Sequence, residues 1–108
     1  MSDWDVVFKR SERDGRPVLS VAGEIDLAVA GRFAEELGNL VGGDRESAVD
    51  LSAVEFIDSS GIRELLKAKG AAQTAGGDLL LLSPSAACRR VLEVSGVWSN
   101  FTVLEASS

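Results

Sequence analysis

Apolar positions along this 108-residue chain alternate between a period of two and a period near three and a half, and glycine pairs mark the changes. Residues 5–9 and Pro17–Ala22 read as two short strands, separated by polar Ser11-Glu12-Arg13 and by Asp14-Gly15, a pair suited to a turn with positive φ. They predict an antiparallel hairpin. After Asp26, a helix-capping residue type, Val29, Phe33, Leu37 and Leu40 fall on one helical face, and Gly42-Gly43 ends the run. Ser47 to Leu51 predicts a short strand with Val49 and Leu51 on one face and Asp50 on the other, followed by an apolar patch of Val54, Phe56 and Ile57.

Asp58-Ser59-Ser60-Gly61 then offers up to three side chains able to cap a second helix, whose stripe is Leu65, Ala68, Ala72 and Ala75 and whose end is Gly76-Gly77. Leu79-Leu80-Leu81-Leu82 is apolar on both faces, which suits an interior parallel strand covered on both sides. Ser83-Pro84 reads as an N-cap followed by Pro at the first helical position, with Ala87, Val91 and Leu92 as the buried stripe and Gly96 at the C-terminal cap. Phe101 to Leu104 is the last strand. The order β-β-α-β-α-β-α-β predicts one α/β domain over residues 1–108, core about 5–104, with a mixed, largely parallel sheet, an N-terminal hairpin and about three to four helices.

Composition narrows the chemistry. Surface scaling predicts that about 65% of the unfolded surface is buried on folding, enough for one core without disulfides or metals. With no His and only Cys88, a Cys/His zinc site, an intrachain disulfide and Ser-His-Asp or Cys-His catalysis are all excluded, and no cofactor or metal is expected. Seventeen acidic residues against eleven basic ones give a formal charge of −6, which argues against a sequence-independent grip on nucleic acid or an anionic membrane. No apolar run approaches bilayer length and residues 1–5 do not resemble a signal peptide, so a reducing cytoplasm is the expected location. Cys88 reads as a core or boundary residue, Trp4 and Trp98 as packing residues, and Lys67, Lys69, Arg89 and Arg90 as solvated helix charges.

Ser59 and Ser60 stand where an apolar segment meets a helix N-terminus, a place with unpaired N–H groups and positive dipole character that tolerates an anion such as a phosphate. The same residues also serve as simple helix caps, and on residue type alone both readings stand.

Asp50-Leu51-Ser52 through Phe56-Ile57-Asp58-Ser59-Ser60-Gly61-Ile62 resembles the central signature of the anti-sigma-factor antagonists, the STAS-domain family. Gly23-Glu24-Ile25-Asp26 resembles that family's second motif, and Leu82-Ser83-Pro84-Ser85 through Arg89-Arg90-Val91-Leu92-Glu93 with Ser95-Gly96 resembles its third, so the resemblance runs in order from Val6 to Leu104. It implies a phosphorylation-controlled protein switch and not an enzyme. In the family the unphosphorylated antagonist binds an anti-sigma factor, usually a protein serine kinase, and frees a sigma factor to activate transcription; a serine phosphatase resets it. The family's phosphoacceptor is the Ser directly after the Asp of D-S-S-G, here Ser59, with Ser60 the neighbouring cap hydroxyl. Gly23, Glu24 and Asp26 are implied to share a partner surface with Asp58, Ser59, Ser60, Gly61, Ile62 and Arg63. The plainer account is that Gly23 permits a turn, Glu24 is a solvated charge and Asp26 caps the first helix.

One departure concerns Ile62-Arg63, where the family commonly has Leu-Gly. Arg63 lies four residues beyond Ser59, within reach of a phosphate there, or it is simply an exposed first-turn Arg slightly unfavourable to the dipole. An alternative within the resemblance is a STAS module of a stress-signalling scaffold or a lipid-transport accessory, in which the serine is inert. A serine-nucleophile enzyme is more remote, because no G-x-S-x-G frames Ser59. Pattern alone leaves a monomer and a weak dimer both open.

Overall fold

The structure is a computed structural model that describes residues 6–105. The expected strand start at Asp5 and the packing role of Trp4 therefore lie outside the described residues.

Strands β1 (Val7–Arg13) and β2 (Arg16–Ile25) form the expected hairpin. Asp14 and Gly15 both take positive φ, 55° and 77°, as the two-residue turn that matches strand twist requires. There follow α1 (Leu27–Leu40), β3 (Glu46–Ile57), α2 (Ser59–Thr74), β4 (Asp78–Leu82), α3 (Ala86–Val94), a 3-10 turn (Trp98–Asn100) and β5 (Thr102–Leu104). The sheet order is β1-β2-β3-β4-β5, antiparallel between β1 and β2 and parallel thereafter. Fold class and element order agree with the expectation from sequence.

The main core joins Leu19, Val21 and Ile25 of β2, Val49, Leu51, Val54 and Ile57 of β3, and Leu79 and Leu81 of β4 to residues from all three helices: Val29, Phe33, Leu37 and Leu40 from α1, Ile62, Leu65, Ala68 and Ala72 from α2, and Cys88 and Leu92 from α3. The intervening Val18, Ala48, Leu80 and Leu82 form a second buried cluster containing no helical residue among those described. Both faces of the β4 leucine run are thus buried, as its unbroken apolarity implies.

Four local expectations are corrected. First, the strand expected over Ser47–Leu51 continues to Ile57. Its pairing with β2 jumps from Ser20↔Asp50 to Ala22↔Ala53 and again from Gly23↔Val54 to Glu24↔Phe56, so β3 carries an extra residue at each of two bulges. The bulges move the buried positions from alternate residues to Leu51, Val54 and Ile57, and Phe56 turns to solvent at 45% exposure. Second, α3 is capped by Ser85 rather than Ser83, and Pro84 precedes the cap instead of following it. The Ser85 hydroxyl accepts from the Cys88 N–H at 3.1 Å and donates to the Val54 carbonyl at 2.6 Å, while the Ser85 N–H donates to the Leu51 carbonyl at 3.1 Å. The cap is chosen by what also satisfies the bulged end of β3.

Third, Ala75 and Ala87 are exposed, and Cys88 takes the buried place expected of Ala87. Ala75 is the C-cap of α2, ahead of Gly76 at φ 90°. The N–H of Gly77 then bonds the Ala72 carbonyl and that of Gly76 bonds the Gln73 carbonyl, which closes the helix end. Fourth, Lys69 is not a solvated charge. It is buried, with Nζ 2.7 Å from the Asp78 carboxylate and 3.4 Å from the Leu79 carbonyl. Lys67, Arg89 and Arg90 are exposed as expected, and Arg89 lies over the half-buried Trp98 ring at 4.8 Å from its centroid.

Candidate functional site

The parallel strands β2 and β3 end side by side, with Ile25 opposite Ile57, and the Asp58 N–H donates to the Ile25 carbonyl at 3.1 Å. Each chain then turns directly into a helix. Asp26 caps α1 by accepting from the Ala28 N–H at 3.0 Å, and Asp58 caps α2 by accepting from the N–H groups of Ser60 at 2.9 Å and Gly61 at 3.3 Å. The register of two neighbouring strands thus brings Gly23–Asp26 and Asp58–Arg63 to one end of the sheet, although some thirty residues separate them in the chain.

The Asp58 carboxylate is the hub of this junction. It also receives the Ser60 hydroxyl, and its charge is further favoured by the backbone N–H of Leu27, the first residue of α1. Burial pushes the Asp58 carboxyl up, but these hydrogen bonds outweigh it and hold the group below the usual carboxylate range. An ionised side chain at the cap of α2 is therefore also favoured by the start of α1.

This hub distinguishes the two serines. Ser60 is half-buried and its hydroxyl is committed to Asp58. Ser59, the first residue of α2, is exposed, and its hydroxyl has no hydrogen bond among the described residues. Gly61 explains how tightly the helix start is seated: a Cβ there would lie 2.8 Å from Ile25 Cγ2 and 2.9 Å from Ile57 Cγ1, both on fully buried side chains. Gly61 and Ile62 are buried, Ile62 within the main core, so they position the surface and do not form it. Gly23 has φ 111° at the second bulge, a conformation that favours glycine. Glu24 is exposed beside Phe56, Asp26 is half-buried, and Arg63 is exposed without an ion pair among the described residues.

Sequence reasoning missed Leu27. It stands 77% exposed beside the Asp58 hub, together with exposed Phe56 at the end of β3. Its signal was that a large apolar residue occupies the first helical position, outside the Val29-Phe33-Leu37-Leu40 stripe. The two segments that meet here, Gly23–Leu27 and Glu55–Ile62, carry four carboxylates, Glu24, Asp26, Glu55 and Asp58, and no basic residue; the next ones along each segment are Arg32 and Arg63. Among the described residues, no cluster of His, Cys, Asp and Glu is suited to holding a metal ion, and no helix is long and apolar enough to cross a membrane. The site is an exposed hydroxyl on an acidic, partly apolar surface seated closely on the sheet.

Comparison with known proteins bears on this arrangement. A family model described as "Mlab, STAS domain" matches residues 8–104. The anti-sigma-F factor antagonist RsfB of Mycobacterium tuberculosis is 43% identical over 56 residues, 51% of this chain and 46% of that protein, so the chain matches about half the length of this relative. The protein BtrV of Bordetella bronchiseptica is 31% identical over 91 residues, which is 83% of this chain and 78% of BtrV. A crystal structure of an anti-sigma factor antagonist from Mycobacterium paratuberculosis superposes with a TM-score of 0.80 at 28% identity, covering 91% of this chain and 84% of the other. With the strand order, the junction and these likenesses in agreement, the chain belongs to the STAS-domain family that includes the anti-sigma factor antagonists.

Proposed function

We propose that this protein is an anti-sigma factor antagonist whose binding is switched by phosphorylation of Ser59. In its unphosphorylated form it binds an anti-sigma factor that is itself a protein serine kinase, through the accessible groups of Gly23–Asp26 and Asp58–Arg63, seated on buried Ile25, Gly61 and Ile62, and so releases a sigma factor. The kinase moves the γ-phosphoryl group of ATP onto Ser59 Oγ, which loses its proton, and ADP departs. A serine phosphatase in the same cytoplasm reverses the modification by hydrolysis. The protein is ligand and substrate in this cycle, not a catalyst.

The observation that carries this reading is the unequal fate of the two serines. Ser60 is held by the Asp58 carboxylate, whereas the Ser59 hydroxyl is exposed and uncommitted on a fixed helix start. Phosphorylation would add about −1.5 to −2 charge there. The helix N-terminus favours that charge by about 0.3–1 kcal/mol, so the fold survives. A partner surface that places a carboxylate about 6 Å away, at an effective dielectric near 20, meets a penalty of about 4–6 kcal/mol before screening. Binding is lost and folding is kept.

Incubation with the partner kinase and ATP, followed by mapping of the modified residue, should place the phosphate on Ser59. Modification of Ser60 alone, or of neither, overturns the assignment. Ser59→Ala should keep partner binding and Ser59→Asp should lose it; equal affinities would refute a charge switch.

A further inference from the structure

We infer that Arg63 is the counter-charge for a phosphate on Ser59, folding back over it from the next helical turn and setting how much charge the modified surface presents. The inference rests on reading Ser59 as the modified residue. It is carried by what surrounds Arg63.

On α2 the side chains that neighbour Arg63 at three and four residues are Ser59 and Ser60 on one side and Leu66 and Lys67 on the other. None is a carboxylate, and Lys67 repels the guanidinium away from the C-terminal side. The adjacent Glu64 is engaged by Lys67 at 3.7 Å. Asp58, the acid closest along the chain on the N-terminal side, is already taken by the Ser60 hydroxyl and by the backbone N–H groups of Ser60 and Gly61. Arg63 is exposed and makes no ion pair among the described residues. It also sits near a helix start with no acidic residue in the first turn, where the dipole disfavours a cation. Such a placement leaves the guanidinium without an anionic partner among the described residues until one arrives.

A phosphate on Ser59 supplies that anion at the fitting position. Helical side chains lean toward the N-terminus, so Arg63 covers the turn that begins at Ser59, and an anion four residues ahead of a cation is the favoured order. The planar guanidinium fork matches two phosphate oxygens. The acids at this end of the sheet, Glu24 and Asp26 ahead of α1 and Asp58 at the cap of α2, carry the same sign as the phosphate and work in the opposite sense.

The test needs neither kinase nor partner. Phosphoserine is installed at position 59 by codon reassignment, and the phosphate is titrated by phosphorus NMR through its second pKa, ordinarily near 6. Arg63→Gln should raise that pKa by about 0.2–0.7 of a pH unit, the range expected for an exposed pair. Arg63→Lys should fall between the two, and Lys67→Gln, which removes the same charge one turn further on, should move it much less. An unchanged value in Arg63→Gln, or an equal rise in Lys67→Gln, overturns the inference. Because the phosphate is placed without an enzyme and read without a partner, a failure here leaves the Ser59 switch intact, and a failure of the switch leaves this titration unaffected.

Discussion

Substituting Gly61 by alanine tests whether the close seating of α2 against the sheet is a real constraint on the site. An added Cβ would stand 2.8 Å from Ile25 Cγ2 and 2.9 Å from Ile57 Cγ1, well inside van der Waals separation. Both isoleucines are fully buried, and the clashing atoms are at or next to the branch point, so small rotamer changes do not clear them. Overpacking of this kind costs about 1–3 kcal/mol, against which alanine recovers up to about 1 kcal/mol of helix propensity. Contacts under 3.0 Å to fully buried atoms put the cost in the upper part of that range, so the net expectation is a loss of about 1–2 kcal/mol, or roughly 5–10 °C in Tm for a domain of this size.

Gly31 and Gly38, in the body and the last turn of α1, are the internal controls, since a Cβ there meets no atom within 4 Å. Alanine at either should stabilise by about 0.5–1 kcal/mol. Urea unfolding of the three variants reads the sign directly, and amide shifts at Asp58 to Ile62 report whether the helix start has moved. The reasoning is refuted if Gly61→Ala is as stable as the parent, or if the α1 variants lose stability alongside it.

Three further outcomes follow from the described geometry. Asp58→Ala removes the acceptor that caps α2 and holds the Ser60 hydroxyl, and should cost about 1–2 kcal/mol at neutral pH in urea unfolding. Because the Asp58 carboxyl is held below its ordinary value of 3.8, its contribution is complete above that pH and is lost as pH falls through the lower folded-state value, so parent and variant should converge there. Asp78→Ala strips the buried Lys69 ammonium of its partner and should cost about 1–3 kcal/mol, while Glu93→Ala, which breaks the exposed pair with Arg89, should cost no more than about 0.5 kcal/mol; equal losses would contradict the burial argument. Cys88, whose thiol burial pushes up to about 11, should resist a thiol reagent at pH 8 until urea unfolds the chain, and rapid labelling of the native protein would contradict its placement.

How much was legible in the sequence depended on whether one period or several interactions decided the outcome. The hairpin, the α1 stripe and the Leu79–Leu82 strand each follow from a single local rule, and the structure matches them. The far half of β3 does not, because two bulges replace alternation by a spacing of three, and a bulge is specified by the neighbouring strand. Ser85 is a cap only because Leu51 and Val54 leave backbone groups for it to satisfy. Lys69 reads as a surface charge until Asp78, nine residues later, is seen beside it. At the site, the motif located Asp58 and Ser59, but the division of labour between Ser59 and Ser60 and the exposure of Leu27 required coordinates.

The sheet order repeats the chain order from β1 to β5, and this has a consequence for how the molecule is made. No strand must be threaded between two that are already paired; each new strand joins the current edge. A chain emerging from the ribosome meets its neighbours in the sequence of their synthesis. The hairpin, α1 and β3 are available before Asp58 appears, so the junction of the two strands exists by the time α2 starts to wind onto it. The last lock on the bulged end of β3 is Ser85, which emerges later and belongs to the last helix. The platform that presents Ser59 is therefore assembled early and fastened late.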